Sequence, residues 1–209
     1  MIELFGSALV TFLVIVDPPG CAPIFASLTR GASAAERRSM AIRSSVIAWS
    51  ILVFFALLGR PMLNALGISL ASFRVAGGIL LFYIAVEMVF ERRTARRETR
   101  AESIKGTPEA DDISVFPMAI PMIAGPGSIA SVMLWVSRAE TPVHILIVLA
   151  AMTVVILITM ATLLASGPLM RLIGEKIEAM ITRILGVILA ALAAQFVIDG
   201  IRQSFPNLG

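Results

Sequence analysis

Asp17-Pro18-Pro19-Gly20-Cys21-Ala22-Pro23-Ile24-Phe25 lies inside a stretch, Ile2 to about Leu28, that otherwise reads as membrane helix. Proline removes a backbone donor and clashes with the preceding turn, and glycine adds backbone freedom, so the helix is not expected to run intact from Asp17 to Pro23. In hydrocarbon the freed backbone groups must be satisfied by protein, by a ligand or by a water-filled cavity. An ionisable side chain is costly in a bilayer, which makes Asp17 at the break a functional candidate. The structural alternative is that Asp17 caps the half-helix that follows it, or pairs with Arg74 or Arg183.

The 209 residues are 58% hydrophobic and 15% charged, with a mean hydropathy of +0.93. Those values lie outside the range of a soluble domain and describe an integral membrane protein. A single cysteine excludes an internal disulfide and a multi-cysteine metal site, leaving Cys21 as a small apolar residue beside the break. The net charge of +3 comes mostly from one polar linker and suits membrane orientation, so no nucleic-acid partner is expected.

The first apolar stretch carries Glu3 and no basic n-region, unlike a cleavable signal peptide. Ile2 to Val16 alone is shorter than the roughly 20 residues a spanning helix needs, so the span includes the break and resumes to Leu28. Further spans are expected at Met40–Leu58, Leu70–Phe90, Ile113–Val136, Val143–Ala165 and Ile181–Ile201. The fourth is itself interrupted by Pro117, Pro121 and Gly125-Pro126-Gly127. Between the third and fourth, residues 91–112 are rich in arginine and then in carboxylates, including Glu109, Asp111 and Asp112. That segment reads as a solvated loop that sets orientation, with headgroup binding as the lesser alternative.

The two interruptions occupy matching places in an internal repeat. Pro19-Gly20 maps to Pro126-Gly127 at an offset of 107 residues, as do Pro61 to Pro168 and Gly67 to Gly174; Arg74 and Gly77 map to Arg183 and Gly186 at 109. The expected fold is therefore an all-α membrane protein of six transmembrane helices: two inverted three-helix repeats, residues 1–90 and 113–209, with helices 1 and 4 broken at mid-membrane. Thirteen basic residues fall on the linker side and four on the other, which puts the linker in the cytoplasm and both termini outside. Re-entrant hairpins in place of helices 1 and 4 give twelve against five, so charge fixes the linker's side and not the number of crossings. Small residues, Gly186, Ala190 and Ala194 on the last helix and Ser72 and Ala76 on the third, predict close helix packing.

D-P-P-G-x-x-P-x-F at 17 to 25, followed by F-P-M-A-I-P-M-I-A-G-P-G-S-I at 116 to 129, resembles the MarC family of bacterial inner-membrane proteins, also grouped as the six-helix neutral amino acid transporter family. The likeness covers essentially the whole chain. It implies a multi-pass inner-membrane protein with a cytoplasmic linker and periplasmic termini. The family name carries a link to multiple antibiotic resistance, and some members resemble carriers of glycine, alanine and other small neutral amino acids.

A broken helix presents free N–H groups where its second half begins and free carbonyls where its first half ends, so two facing breaks suit a zwitterion. The substrate contacts expected on this reading are Asp17, Pro18, Pro19, Gly20, Cys21 and Pro23 from the first break and Gly125, Pro126, Gly127 and Ser128 from the second. Asp17 faces Ala124 in the repeat, and this asymmetry suits a carboxylate that handles the substrate's ammonium group or a coupling proton or sodium ion. Gln195 and Glu87 are weaker pathway candidates, and the lone His144 makes a poor metal site. No cofactor is expected. The partners expected are a small-molecule substrate and the lipid bilayer, and nothing in the sequence specifies an oligomer. An intramembrane enzyme would need an acid and base, or a nucleophile and partner, that these positions do not supply. The alternatives to a secondary transporter are a passive channel and a structural or regulatory membrane protein.

Overall fold

The computed structural model describes residues 1–104 and 112–205, and among these the chain is all helical. Residues 105–111 of the linker, with Lys105, Glu109 and Asp111, lie outside the described residues, as do residues 206–209 and the side chains of residues 100, 101, 104 and 170–175. The elements are α1 (Ile2–Val16), α2 (Pro18–Leu28), α3 (Ala34–Ala65), α4 (Leu70–Val89), α5 (Arg92–Ile104), an irregular wide-turned segment Ser114–Ile123, α6 (Pro126–Ser137), α7 (Pro142–Leu164) and α8 (Ser166–Ser204). Among the described residues five spans are long and apolar enough to cross a bilayer: Ile2–Leu28, Ala34–Ala65, Leu70–Val89, Pro142–Leu164 and Lys176–Ser204. Ser114–Ile123 and Pro126–Ser137, bent by 53°, make a sixth when taken together.

Besides α2, three helices begin on a side-chain cap among the described residues. Ser33 and Glu36 form a reciprocal capping box at the start of α3, Ser69 accepts from the Ser72 N–H, and Thr141 from the His144 N–H. The box starts α3 six residues before the expected Met40, and α8 begins at Ser166 where the sequence suggested Ile181. Both early turns are polar, so hydropathy did not mark them as helix.

α4 and α8 lie against each other along a seam of small residues. A Cβ placed on Gly78 would come within 2.9 Å of the Ala193 carbonyl, one on Gly186 within 3.1 Å of the Ala85 carbonyl, and one on Gly200 within 2.9 Å of the Ala71 carbonyl. Close backbone approach of this kind needs glycine. Gly186 is on the seam as expected, whereas Ser72, Ala76 and Ala194 are exposed and Ala190 is half-buried. The buried faces run instead through Ala71, Gly78 and Ala85 on α4 and Gly186, Ala193 and Gly200 on α8. With two adjacent glycines at 77 and 78, the sequence left the phase of the α4 stripe open.

The linker differs most from expectation. Residues 92–104 form a helix, and Glu91, at φ 59, turns it back from the end of α4 toward the bundle. From it Arg93 and Arg97 enter the protein.

Candidate functional site

At the first break the helix is interrupted at a single residue. Asp17 takes a left-handed conformation (φ 58, ψ 66), closing α1 with its N–H on the Leu13 carbonyl while its carboxylate accepts from the Gly20 N–H at 3.2 Å. Pro18 and Pro19 occupy the first two positions of α2, where a missing N–H costs nothing because no carbonyl lies one turn back. One Asp therefore ends one helix and starts the next. Its carboxylate is 1% exposed and pairs with Arg97 at 3.1 Å, while the Thr182 hydroxyl lies 3.3 Å from its other oxygen. Neither Arg74 nor Arg183 is the partner: Arg74 binds Gln203, and Arg183 binds Glu91.

At the second break, Phe116 and Ile120 are extended and the bonds to Pro117 and Pro121 are cis. Gly125 is also extended, and α6 starts with Pro126 and no side-chain cap. The Ser128 hydroxyl donates to the Ile123 carbonyl at 2.7 Å, so it serves the backbone of the preceding segment. The N–H groups of the first α6 turn have no carbonyl one turn back to bond, and they carry the positive end of the helix dipole.

The linker helix joins the two breaks. Arg93 donates to the Ile15 carbonyl at 2.6 Å, covering the negative end of α1, and to the Met88 sulfur at 3.1 Å. Arg97, one turn on, bridges Asp17 and the Met122 carbonyl. Arg96 pairs with Glu87 and bonds the Tyr83 hydroxyl. Burial, with the Arg97 charge next, pushes the Arg93 guanidinium down to about 9, still charged at neutral pH. Among the described residues no carboxylate pairs with Arg93.

These groups enclose a cavity of about 240 Å³ lined by Ile15, Leu80, Tyr83, Ile84, Glu87, the three arginines 93, 96 and 97, Pro121, Met122 and Gly125 to Ser128. Of the residues singled out from sequence, Gly125, Pro126, Gly127, Ser128 and Glu87 line it. Asp17, Pro18, Pro19, Gly20, Cys21 and Pro23 stand behind it, with Asp17 reaching its wall through Arg97. Gln195 is remote, exposed and bonded to Asp199, which pairs with Arg138. Sequence reading missed Arg93, Arg97, Thr182 and the buried Glu178, which shares the Thr182 hydroxyl with Asp17. The spacing of Arg93 and Arg97, four apart on one helical face, was the available signal.

A family model described as MarC family integral membrane protein matches residues 2–205. A UPF0056 membrane protein of Archaeoglobus fulgidus is 34% identical, covering 99% of this chain and 96% of its own length. The UPF0056 membrane protein YvbG of Bacillus subtilis is 31% identical over 100% and 99%, and YhcE of Escherichia coli 32% over 93% and 90%. No solved structure matches the chain.

Proposed function

Since the chain belongs to the MarC family of integral membrane proteins, we propose that it is a secondary transporter of small polar solutes bearing a carboxylate, with small neutral amino acids such as glycine and alanine first among them. The observation that carries this reading is the 240 Å³ cavity between the two interrupted segments, which offers the Arg93 guanidinium and the uncapped start of α6 side by side. A guanidinium and a helix N-terminus both favour a carboxylate. The substrate's ammonium group would sit toward Glu87, which lines the same cavity, in exchange for part of the Arg96 pair. Ile15, Leu80 and Ile84 leave room for a small side chain and nothing charged.

On this reading the protein lies in the bacterial inner membrane as two inverted three-span units, residues 1–90 and 113–209, with both breaks within the membrane, the linker cytoplasmic and both termini periplasmic. The coupling ion is a proton or sodium, and the Asp17–Thr182–Glu178 cluster is the place for it, buried beside the cavity and linked to it through Arg97.

The test is uptake of labelled alanine and glycine by proteoliposomes, with and without proton or sodium gradients, in wild type, Arg93→Gln and Gln195→Ala. Saturable, gradient-driven uptake is expected, with KM raised about tenfold or more in Arg93→Gln by the lost charge-assisted contact and unchanged in Gln195→Ala. Absence of uptake withdraws the amino acid substrate. Uptake indifferent to Arg93→Gln moves the site elsewhere.

A further inference from the structure

A second cavity, of about 380 Å³, is formed by the end of α2, the start of α3 and the junction of α7 with α8, and it shares no lining residue with the first. Phe25, Arg37, Arg38, Leu163, Leu164 and Ser166 line it. It lies at the end of the bundle that carries the linker, since Arg43, further along the same helix, pairs with Asp112.

Arg37 and Arg38 stand in the first turns of α3, where the helix dipole disfavours cations. Among the described residues neither side chain has an ion pair or a hydrogen bond. Membrane orientation accounts for arginines at this end of the protein. It does not account for Ser166, which is 3% exposed, lines the same cavity and has no hydroxyl partner among the described residues. Nearby hydroxyls behave otherwise: Thr159 and Thr162 each donate to a carbonyl one turn back. The Ser166 hydroxyl therefore stands at the cavity wall as a free donor for whatever enters.

Two guanidinium groups and a hydroxyl are the donors that a phosphate's oxygens require. Phe25 and Leu163 supply an apolar wall beside them, and Leu164, 46% exposed, carries it out to the helix surface. A free anion gains nothing from such a wall, whereas a glycerol backbone and the start of an acyl chain do. We infer that this cavity binds the phosphate headgroup of an anionic phospholipid, drawn from the leaflet on the linker side.

The experiment is native mass spectrometry of the purified full-length protein in detergent, titrated with phosphatidylglycerol, phosphatidylcholine or inorganic phosphate. Wild type is compared with Arg37→Gln/Arg38→Gln, with Ser166→Ala, and with Arg30→Gln/Arg92→Gln, which removes the same charge from exposed positions outside the cavity. Phosphatidylglycerol is expected to bind about tenfold more tightly than phosphatidylcholine, falling about tenfold in the double cavity variant and severalfold in Ser166→Ala. The control variant keeps wild-type affinity. Equal losses in cavity and control variants would reduce the effect to general surface charge and overturn the site. Displacement of the lipid by equimolar inorganic phosphate would assign the cavity to a free anion and overturn the lipid. Ser166→Ala alters no charge, so it still decides the matter should the double variant fold poorly.

Discussion

Replacing Arg97 by Gln leaves the Asp17 carboxylate without its cation. The two side chains are 10% and 1% exposed, so solvent screens little of their interaction. Removing one partner of a buried pair costs about 3–5 kcal/mol. Asp17 keeps the Gly20 N–H and the Thr182 hydroxyl, which puts the expected loss at the lower end, about 3 kcal/mol. At about 2–4 °C per kcal/mol for a chain of this size, the unfolding midpoint should fall by about 6–12 °C. Asp17→Asn should cost a similar amount by stranding Arg97. The double variant carries no stranded charge and should lose about 2 kcal/mol less than the sum of the singles. Thermal unfolding in detergent, followed by the fluorescence of Trp135, reads this directly, because that ring is buried edge-on against Phe196 with centroids 6.1 Å apart. An Arg97→Gln midpoint within about 1 °C of wild type, or singles that simply add, would refute the docking of the linker helix into the first break.

Gly20→Ala should disturb the same junction from the other side, since its Cβ would collide with the Asp17 carboxylate and fall 3.1 Å from Arg97 Nη1; loss of the cap alone is worth about 1 kcal/mol in the same unfolding assay. Gly200→Ala should lower stability by about 1–3 kcal/mol, because the Cβ meets backbone of α4 that cannot move aside. Gly6→Ala, with nothing within 4 Å, should raise it by about 0.5–1 kcal/mol through helix propensity. Ser114, whose N–H donates to the carboxylate at 3.0 Å, and then Arg43, which pairs with it, hold the Asp112 carboxyl below the ordinary carboxylate range. A lowered folded pKa gives stabilisation that is complete above the unfolded value and lost as pH falls through the folded one. The midpoint difference between wild type and Asp112→Asn should therefore be constant above about pH 6 and shrink below about pH 4.

Two helix starts were legible in the sequence because proline and glycine act on the backbone where they stand: Pro18-Pro19 and Gly125-Pro126 fall at the residues where α2 and α6 begin. The membrane spans were legible from hydropathy, apart from the polar first turns of α3 and α8, which are helical through capping and continuity. The partner of Asp17 was not legible. Arg97 is 80 residues away in a segment whose composition matches any solvated loop, and a contact at that separation leaves no local periodicity. Ser128 was recognised as part of the second break, but the direction of its hydroxyl depends on the carbonyl that the irregular segment leaves free at Ile123.

Asp17 is made well before its two side-chain partners from elsewhere in the chain, which follow 80 and 165 residues later. The contacts around the break between α1 and α2 are therefore complete only once α8 has been made. Until Arg93 and Arg97 emerge, the carbonyl of Ile15 and the carboxylate of Asp17 have no cation to meet, and until Thr182 emerges the final wall is missing. Truncation before α8 would leave Asp17 its Gly20 cap and its Arg97 partner and take away only the Thr182 hydroxyl, so the break depends on the linker helix before it depends on the last helix.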